Sequence, residues 1–142
     1  MTNHDVYRGT VRTGRGGAVA EMSKPGGVEG LAMLTGLRVI PGTMNVLLAE
    51  PFELSRLRYF RFADADWDFH PASQGIEFTG ETGVHYGRIT IAGACPGVLL
   101  FWTWVPDIRR YAELASPVHL RTELGLKDGD TVFFTLDGPG PA

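Results

Sequence analysis

The sequence predicts a mainly β fold, a small six- or seven-stranded barrel with a few short helices. Nineteen glycines and nine prolines are spread along the 142 residues, and both residue types break helix interiors while supplying turns. Between these punctuation points lie short segments that alternate with period two or form brief apolar runs, the patterns of half-buried and fully buried strands. The helical candidates span about two turns at most, too short to make a helical core. A closed or partly closed barrel suits this pattern because closure removes exposed sheet edges.

Val6 to Arg12 alternates and reads as the first strand, followed by the turn Thr13-Gly14-Arg15-Gly16-Gly17 and a returning strand from Ala18 to Met22. Ser23 to Gly27 is a loop, and Val28 to Thr35 a short helix ended by Gly36. Pro41-Gly42 is a turn pair leading into a strand from Thr43 to Leu48. In Leu54 to Phe62 the helical and extended patterns compete, and Asp64 to Thr82 is the least regular stretch. Val84 to Ile91 and Gly97 to Val105 read as strands, the second apolar on both faces and broken by Pro106. Arg109 to Leu114 reads as one or two helical turns, and the run from Pro117 to Leu126 contains a short helix closed by Gly125. Lys127-Asp128-Gly129-Asp130 is a turn before a last strand, Thr131 to Leu136, and residues 138–142 are expected to fray.

With no repeat or linker, residues 1–142 are expected to form one domain. A formal charge of −3 gives no electrostatic motive for a nucleic acid or an anionic membrane as partner. Cys95 is alone, which suits a reducing cytoplasm, and the N-terminal residues show no basic region followed by an apolar stretch. The longest apolar run, Val98 to Val105, is less than half of a membrane span. A soluble cytoplasmic protein is the expectation.

Three segments combine residues able to do chemistry. In Thr13-Gly14-Arg15-Gly16-Gly17-Ala18, glycines let backbone N–H groups turn toward an anion and Arg15 adds charge, although a plain β-turn is the simpler reading of these residues. In Pro41-Gly42-Thr43-Met44-Asn45-Val46, a strand starting at Thr43 puts Thr43 and Asn45 on one side. Two neutral oxygen donors suit a Mg²⁺ ion already held by nucleotide phosphates, but also an ordinary polar strand face. The third segment runs from Glu113 to Arg121: Glu113 is able to position or deprotonate a hydroxyl and Arg121 to bind phosphate, and a solvated helix face explains both equally well. Trp102, Trp104 and Tyr111 have planar surfaces for a flat ligand, yet large aromatics are more often core. Histidines at 4, 70, 85 and 119 are too scattered for a zinc site, and no nucleophile elbow occurs.

Taken in order, these segments resemble the CTP-dependent riboflavin kinases, the archaeal-type family with a cradle-loop barrel. The matching elements are Gly9-Thr10-Val11, Thr13-Gly14-Arg15-Gly16, Leu37 to Val46, Tyr86-Gly87, Val105-Pro106, Glu113 to Pro117, Leu120-Arg121 and Leu126-Lys127-Asp128-Gly129-Asp130. The resemblance implies transfer of the γ-phosphoryl group of CTP to the 5′-hydroxyl of riboflavin, giving FMN and CDP, with Mg²⁺. It implies Thr43 and Asn45 as metal ligands and Gly14, Arg15, Gly16, Gly17, Ala18 and Val19 as a nucleotide-binding loop. Val118, His119, Leu120 and Arg121 match a second nucleotide contact, and Glu113 a flavin-contacting glutamate, with Tyr111 beside it on the flavin side. Two departures stand out. The loop reads Gly17-Ala18-Val19-Ala20 where the family has a further glycine and an aromatic, and the stretch between Pro106 and Glu113 is shorter by about four residues and lacks the family's flavin-contacting threonine. The shortening motivates two alternatives, a kinase for a different small acceptor, to which Arg109, Arg110 and Tyr111 would then contribute, and a non-catalytic nucleotide- or flavin-binding module on the same barrel. A barrel used for protein–protein interaction is a third.

Overall fold

The computed structural model describes residues 6–13, 27–64 and 78–137. The expected returning strand at Ala18–Met22, most of the glycine loop, most of Asp64–Thr82 and the C-terminal tail lie outside the described residues.

The strands are β1 (Val6–Arg12), β2 (Met44–Leu48), β3 (Arg58–Arg61), β4 (Gly83–Ile91), β5 (Cys95–Trp102), β6 (Tyr111–Ala115) and β7 (Thr131–Leu136). Two helices, α1 (Val28–Thr35) and α2 (Leu120–Leu124), end at the expected glycines, Gly36 and Gly125. All strand pairings are antiparallel, in the order β3-β4-β5-β6-β2-β1-β7, and β7 also pairs with β4. That last pairing closes six strands into a barrel and leaves β3 as an extra strand, as the mainly β reading anticipates. One edge of β4 serves both neighbours in turn, β3 along Gly83–Tyr86 and β7 along Ile89–Ile91. Gly87 stands at the handover, where a Cβ would come within 2.8 Å of Leu57 and 3.2 Å of Leu136, so only the absence of a side chain lets both neighbours close in.

Alternation in the strands builds two cores on opposite faces of one sheet. The barrel interior holds Val11, Val46, Leu48, Ile89, Leu99, Phe101, Leu114 and Phe134, with Phe52 packed at 5.3 Å from Phe101 and 4.7 Å from Tyr7. Outside the barrel a second core forms under α1, where Leu31 and Val39 meet Val84, Val98, Leu100, Trp102 and Trp104. Trp102 and Trp104 stack at 5.4 Å, and Phe62 lies edge-on to both. The core reading of these two tryptophans therefore holds. Arg88 donates to the Thr35 carbonyl at 2.9 Å, tying the C-terminal end of α1 to β4. Between the two cores, β5 is apolar on both faces, which is why its sequence shows a run rather than an alternation.

Two segments differ from expectation. Arg109 to Leu114, read as helical turns, contains a strand instead: Ala112 and Leu114 point into the barrel while Tyr111 and Glu113 point outward. Backbone pairing with β2 and β5 on either side outweighs the helix propensity of Ala, Glu and Leu. The strand expected over Gly97–Val105 runs two residues earlier at its start and stops at Trp102. There the Thr103 hydroxyl accepts from the Gly83 amide at 3.0 Å and donates to the Glu81 carbonyl at 2.7 Å, turning the chain before Pro106 is reached. The ambiguous Leu54–Phe62 stretch contains both patterns, a 3-10 turn at Leu54–Arg56 and strand β3.

Adjacent residues in β5 test the two-sided core. Leu99→Ala and Leu100→Ala are each expected to cost ~2–5 kcal/mol in urea denaturation, the range for a buried leucine; near-neutrality of either would mean that one face of the strand is not a core.

Candidate active site

The segment around Pro41-Gly42 is held by its neighbours before β2 begins. The Ile40 amide donates to the Ser116 carbonyl at 3.0 Å, and Gly42 adopts φ 111°, a region that side-chain-bearing residues rarely enter. The chain then emerges as β2, flanked by β1 on one side and β6 on the other. Register places Arg12 opposite Asn45 and Asn45 opposite Glu113. Because Val11, Met44, Val46 and Leu114 face the interior, Arg12, Asn45 and Glu113 form a polar row on the outer face across three strands. Thr43, two residues before Asn45, joins that face as expected: its hydroxyl donates to Glu113 Oε1 at 2.7 Å.

Glu113 also accepts a hydrogen bond from the Trp102 side chain. The residue as a whole is half-buried, but the atoms packed around its carboxyl push its pKa above the usual glutamate range, against the lowering from the Thr43 and Trp102 hydrogen bonds. A hydroxyl that gives its only hydrogen to Glu113 turns its lone pairs elsewhere, which makes Thr43 a better oxygen donor than a freely rotating threonine. No hydrogen bond to another described residue engages the Asn45 side chain.

Next to this row lies a cavity of about 290 Å³. Among the described residues its walls come from Arg12 at the end of β1 and Thr13 beyond it, Ile40 to Asn45, Leu114 and Ser116, and Val118 to Arg121 at the start of α2. The structure thus brings Thr43 and Asn45 together with Val118, His119, Leu120 and Arg121. His119 caps α2 through Nδ1, which accepts from the Thr122 amide at 3.3 Å and lies 2.8 Å from the Thr122 hydroxyl. Leu120 is packed into the barrel core. Arg121 donates to Asp128 Oδ1 at 2.6 Å and to the Arg12 carbonyl at 3.1 Å. The other Asp128 oxygen accepts from Thr13, and these two partners hold the Asp128 carboxyl below its usual range, the Thr13 bond contributing most. Among the described residues no carboxylate lines the cavity, and no group of three or more His, Cys, Asp or Glu gathers. Guanidiniums and uncharged oxygens are the donors of a site for an anion, or for a cation that arrives bound to one.

Other expected positions fall elsewhere. Gly14 to Val19 lie outside the described residues. Tyr111 is 43% exposed, on the same face of β6 as Glu113 but not in the cavity wall. Arg109 donates to the Phe52 carbonyl at 3.0 Å, and Arg110 to the Leu48 carbonyl at 3.1 and 3.3 Å, so both brace the turn after β5 against the end of β2. Arg12 and Asp128 were not among the site residues read from the sequence. The signal for Arg12 was available in its position just before the glycine turn, but its place beside Asn45 depends on a register that sequence does not display.

No family model matches the chain. It is 30% identical over 102 residues to the riboflavin kinase of Methanothermobacter thermautotrophicus, covering 72% of this chain and 75% of that protein. It is 31% identical over 140 residues to the riboflavin kinase of Methanocella arvoryzae, covering 93% of this chain and 57% of that one. A closed barrel, matched along most of the chain to two proteins named riboflavin kinase, is that of a kinase. The chain belongs to the riboflavin kinase family. Among its described residues no helix is long and apolar enough to cross a membrane.

The Glu113 carboxyl makes stability depend on pH in a defined direction. Its pKa is raised on folding, so the unfolded chain loses this proton first, and stability is full below the unfolded glutamate pKa of about 4.3 and falls as pH rises toward the folded value. Urea denaturation between acid and neutral pH should show wild type losing stability relative to Glu113→Gln as pH rises; a constant difference between the two would refute the burial effect.

Proposed function

We propose that this protein transfers the γ-phosphoryl group of CTP to the 5′-hydroxyl of riboflavin, giving FMN and CDP, with Mg²⁺ as the metal. The observation that carries the reading is the convergence of Thr43, Asn45 and the Val118–Arg121 segment on one cavity, in a chain of this family. In the reaction the bond between the γ-phosphorus and its bridging oxygen breaks, the riboflavin oxygen bonds to that phosphorus, and the hydroxyl proton leaves. Such transfers ask a protein chiefly for positioning and charge neutralisation.

Thr43 and Asn45 fit the metal's needs, since both present uncharged oxygens from one strand face and Thr43 is oriented by Glu113. Bound there, Mg²⁺ would neutralise phosphate charge. Because the pair carries no charge, the metal is best held together with the nucleotide rather than alone. The nucleotide is assigned to the Val118–Arg121 wall and to the Gly14–Val19 loop. Glu113 adjoins Thr43 and is the residue assigned to orient the acceptor hydroxyl and receive its proton, a role favoured by the greater proton affinity that burial gives its carboxyl. Tyr111, exposed two residues away, is assigned to the flavin side.

Incubation with CTP, Mg²⁺ and riboflavin, followed by chromatography for FMN, is expected to show product; absence of FMN together with absence of CTP binding in calorimetry would sink the reading. Replacing CTP with ATP, GTP or UTP tests the donor, and equal rates with all four would remove the CTP assignment. Thr43→Ala and Asn45→Ala should each raise the Mg²⁺ concentration for half-maximal rate by at least the ~10–100-fold that loss of an outer-shell metal partner costs. An unchanged Mg²⁺ dependence in both variants would refute the ligand assignment.

A further inference from the structure

Among the described residues the cavity wall carries two guanidiniums, Arg12 and Arg121, and their surroundings differ. Arg121 is committed: one terminal nitrogen bonds both Asp128 and the Arg12 carbonyl, and its side chain is two-thirds covered. Asp128 in turn has its two oxygens taken, one by Arg121 and one by Thr13. Arg12 ends β1 exposed on the outer face, directly across the ladder from Asn45. Its side chain has no hydrogen bond to another described residue. The nearby carboxylate that feels its charge, Asp128, feels it more weakly than it feels its own hydrogen-bonded partners.

We propose that Arg12 is the guanidinium that binds the phosphate chain of the nucleotide, and that Arg121, clamped by Asp128, is a positioning residue. This rests on the nucleotide reading of the cavity given above and adds to it a residue that carries charge to the phosphates. The geometry favours the division of labour in three ways. Arg12 adjoins Asn45, so its head group reaches the part of the cavity where the metal-bound phosphates are placed. A guanidinium with no hydrogen-bonded carboxylate among the described residues offers its full fork of donors to phosphate oxygens, whereas one paired to a carboxylate has one nitrogen engaged and part of its charge offset. Arg121 gives one terminal nitrogen to the Arg12 carbonyl and to the carboxylate that holds Thr13, and so fixes the end of β1 from which the Arg12 side chain departs.

Calorimetric titration of the intact protein with Mg²⁺–CTP, with cytidine and with inorganic tripolyphosphate tests the assignment. Arg12→Ala is expected to weaken Mg²⁺–CTP and tripolyphosphate by ~10–100-fold, the scale of a lost charge-assisted contact, while cytidine binding is unchanged. Arg12→Lys should recover part of the loss, and the salt dependence of CTP binding should become shallower in Arg12→Ala. Because the side chain is exposed, the urea midpoint of both variants should match wild type. Wild-type binding of CTP with no change in Arg12→Ala would overturn the role of Arg12 and leave the nucleotide reading standing, as would an equal loss of CTP and cytidine. If the wild-type protein binds neither CTP nor tripolyphosphate, the nucleotide reading fails and this proposal with it.

Discussion

Everything at the candidate site depends on the register of β2 between β1 and β6. Two antiparallel ladders fix it, one aligning Val11 with Val46 and Arg12 with Asn45, the other aligning Met44 with Leu114 and Asn45 with Glu113. A strand has a side-chain period of two, so a slip by one residue would send Thr43 and Asn45 into the apolar interior and turn Met44, Val46 and Leu48 out to water. The hydrophobic cost of that exchange, three buried side chains at roughly 1.5–3 kcal/mol each, far exceeds any gain a polar contact offers. The barrel core therefore enforces the chemistry of the outer face.

Glu113 shows how the two cores bear on reactivity. Its neighbours along β6, Ala112 and Leu114, belong to the barrel interior, while Trp102, which bonds its carboxyl, is anchored in the second core by Trp104 and Phe62. The carboxyl is thus removed from water by packing that exists for stability, and its affinity for a proton rises as a consequence. The Thr43 hydroxyl compensates in part by donating to it. A single hydrogen bond between residues seventy positions apart in the chain links the group proposed to handle a proton with the group proposed to hold a metal.

Much of this was legible in the sequence, for reasons that differ by element. The strands over Val6–Arg12, Met44–Leu48 and Thr131–Leu136 and helix α1 were visible because alternation and a terminal glycine are local signals. Strand β6 was missed because Ala, Glu and Leu favour helix locally, and only its two neighbours make it extended. Closure of the barrel through β4 and β7 joins segments that share no local pattern. At the site, Thr43 and Asn45 were readable as one face of a strand, and the Val118–Arg121 segment as a candidate contact. Their meeting in one cavity, the bond from Thr43 to Glu113 and the place of Arg12 were not, since each depends on register between distant strands.

The handover at Gly87 has a consequence for how the molecule behaves in solution. Because β7 takes one half of the β4 edge and β3 the other, closure leaves β3 as the strand whose outer side meets no strand among the described residues. That outer side is a template on which another chain can add a strand. Here it is only four residues long and carries an arginine at each end, Arg58 and Arg61, with Arg61 paired to Asp64 at 2.8 Å. A short ribbon with charge at both ends resists strand-by-strand stacking between molecules, so this open edge among the described strands is poorly suited to seeding aggregates.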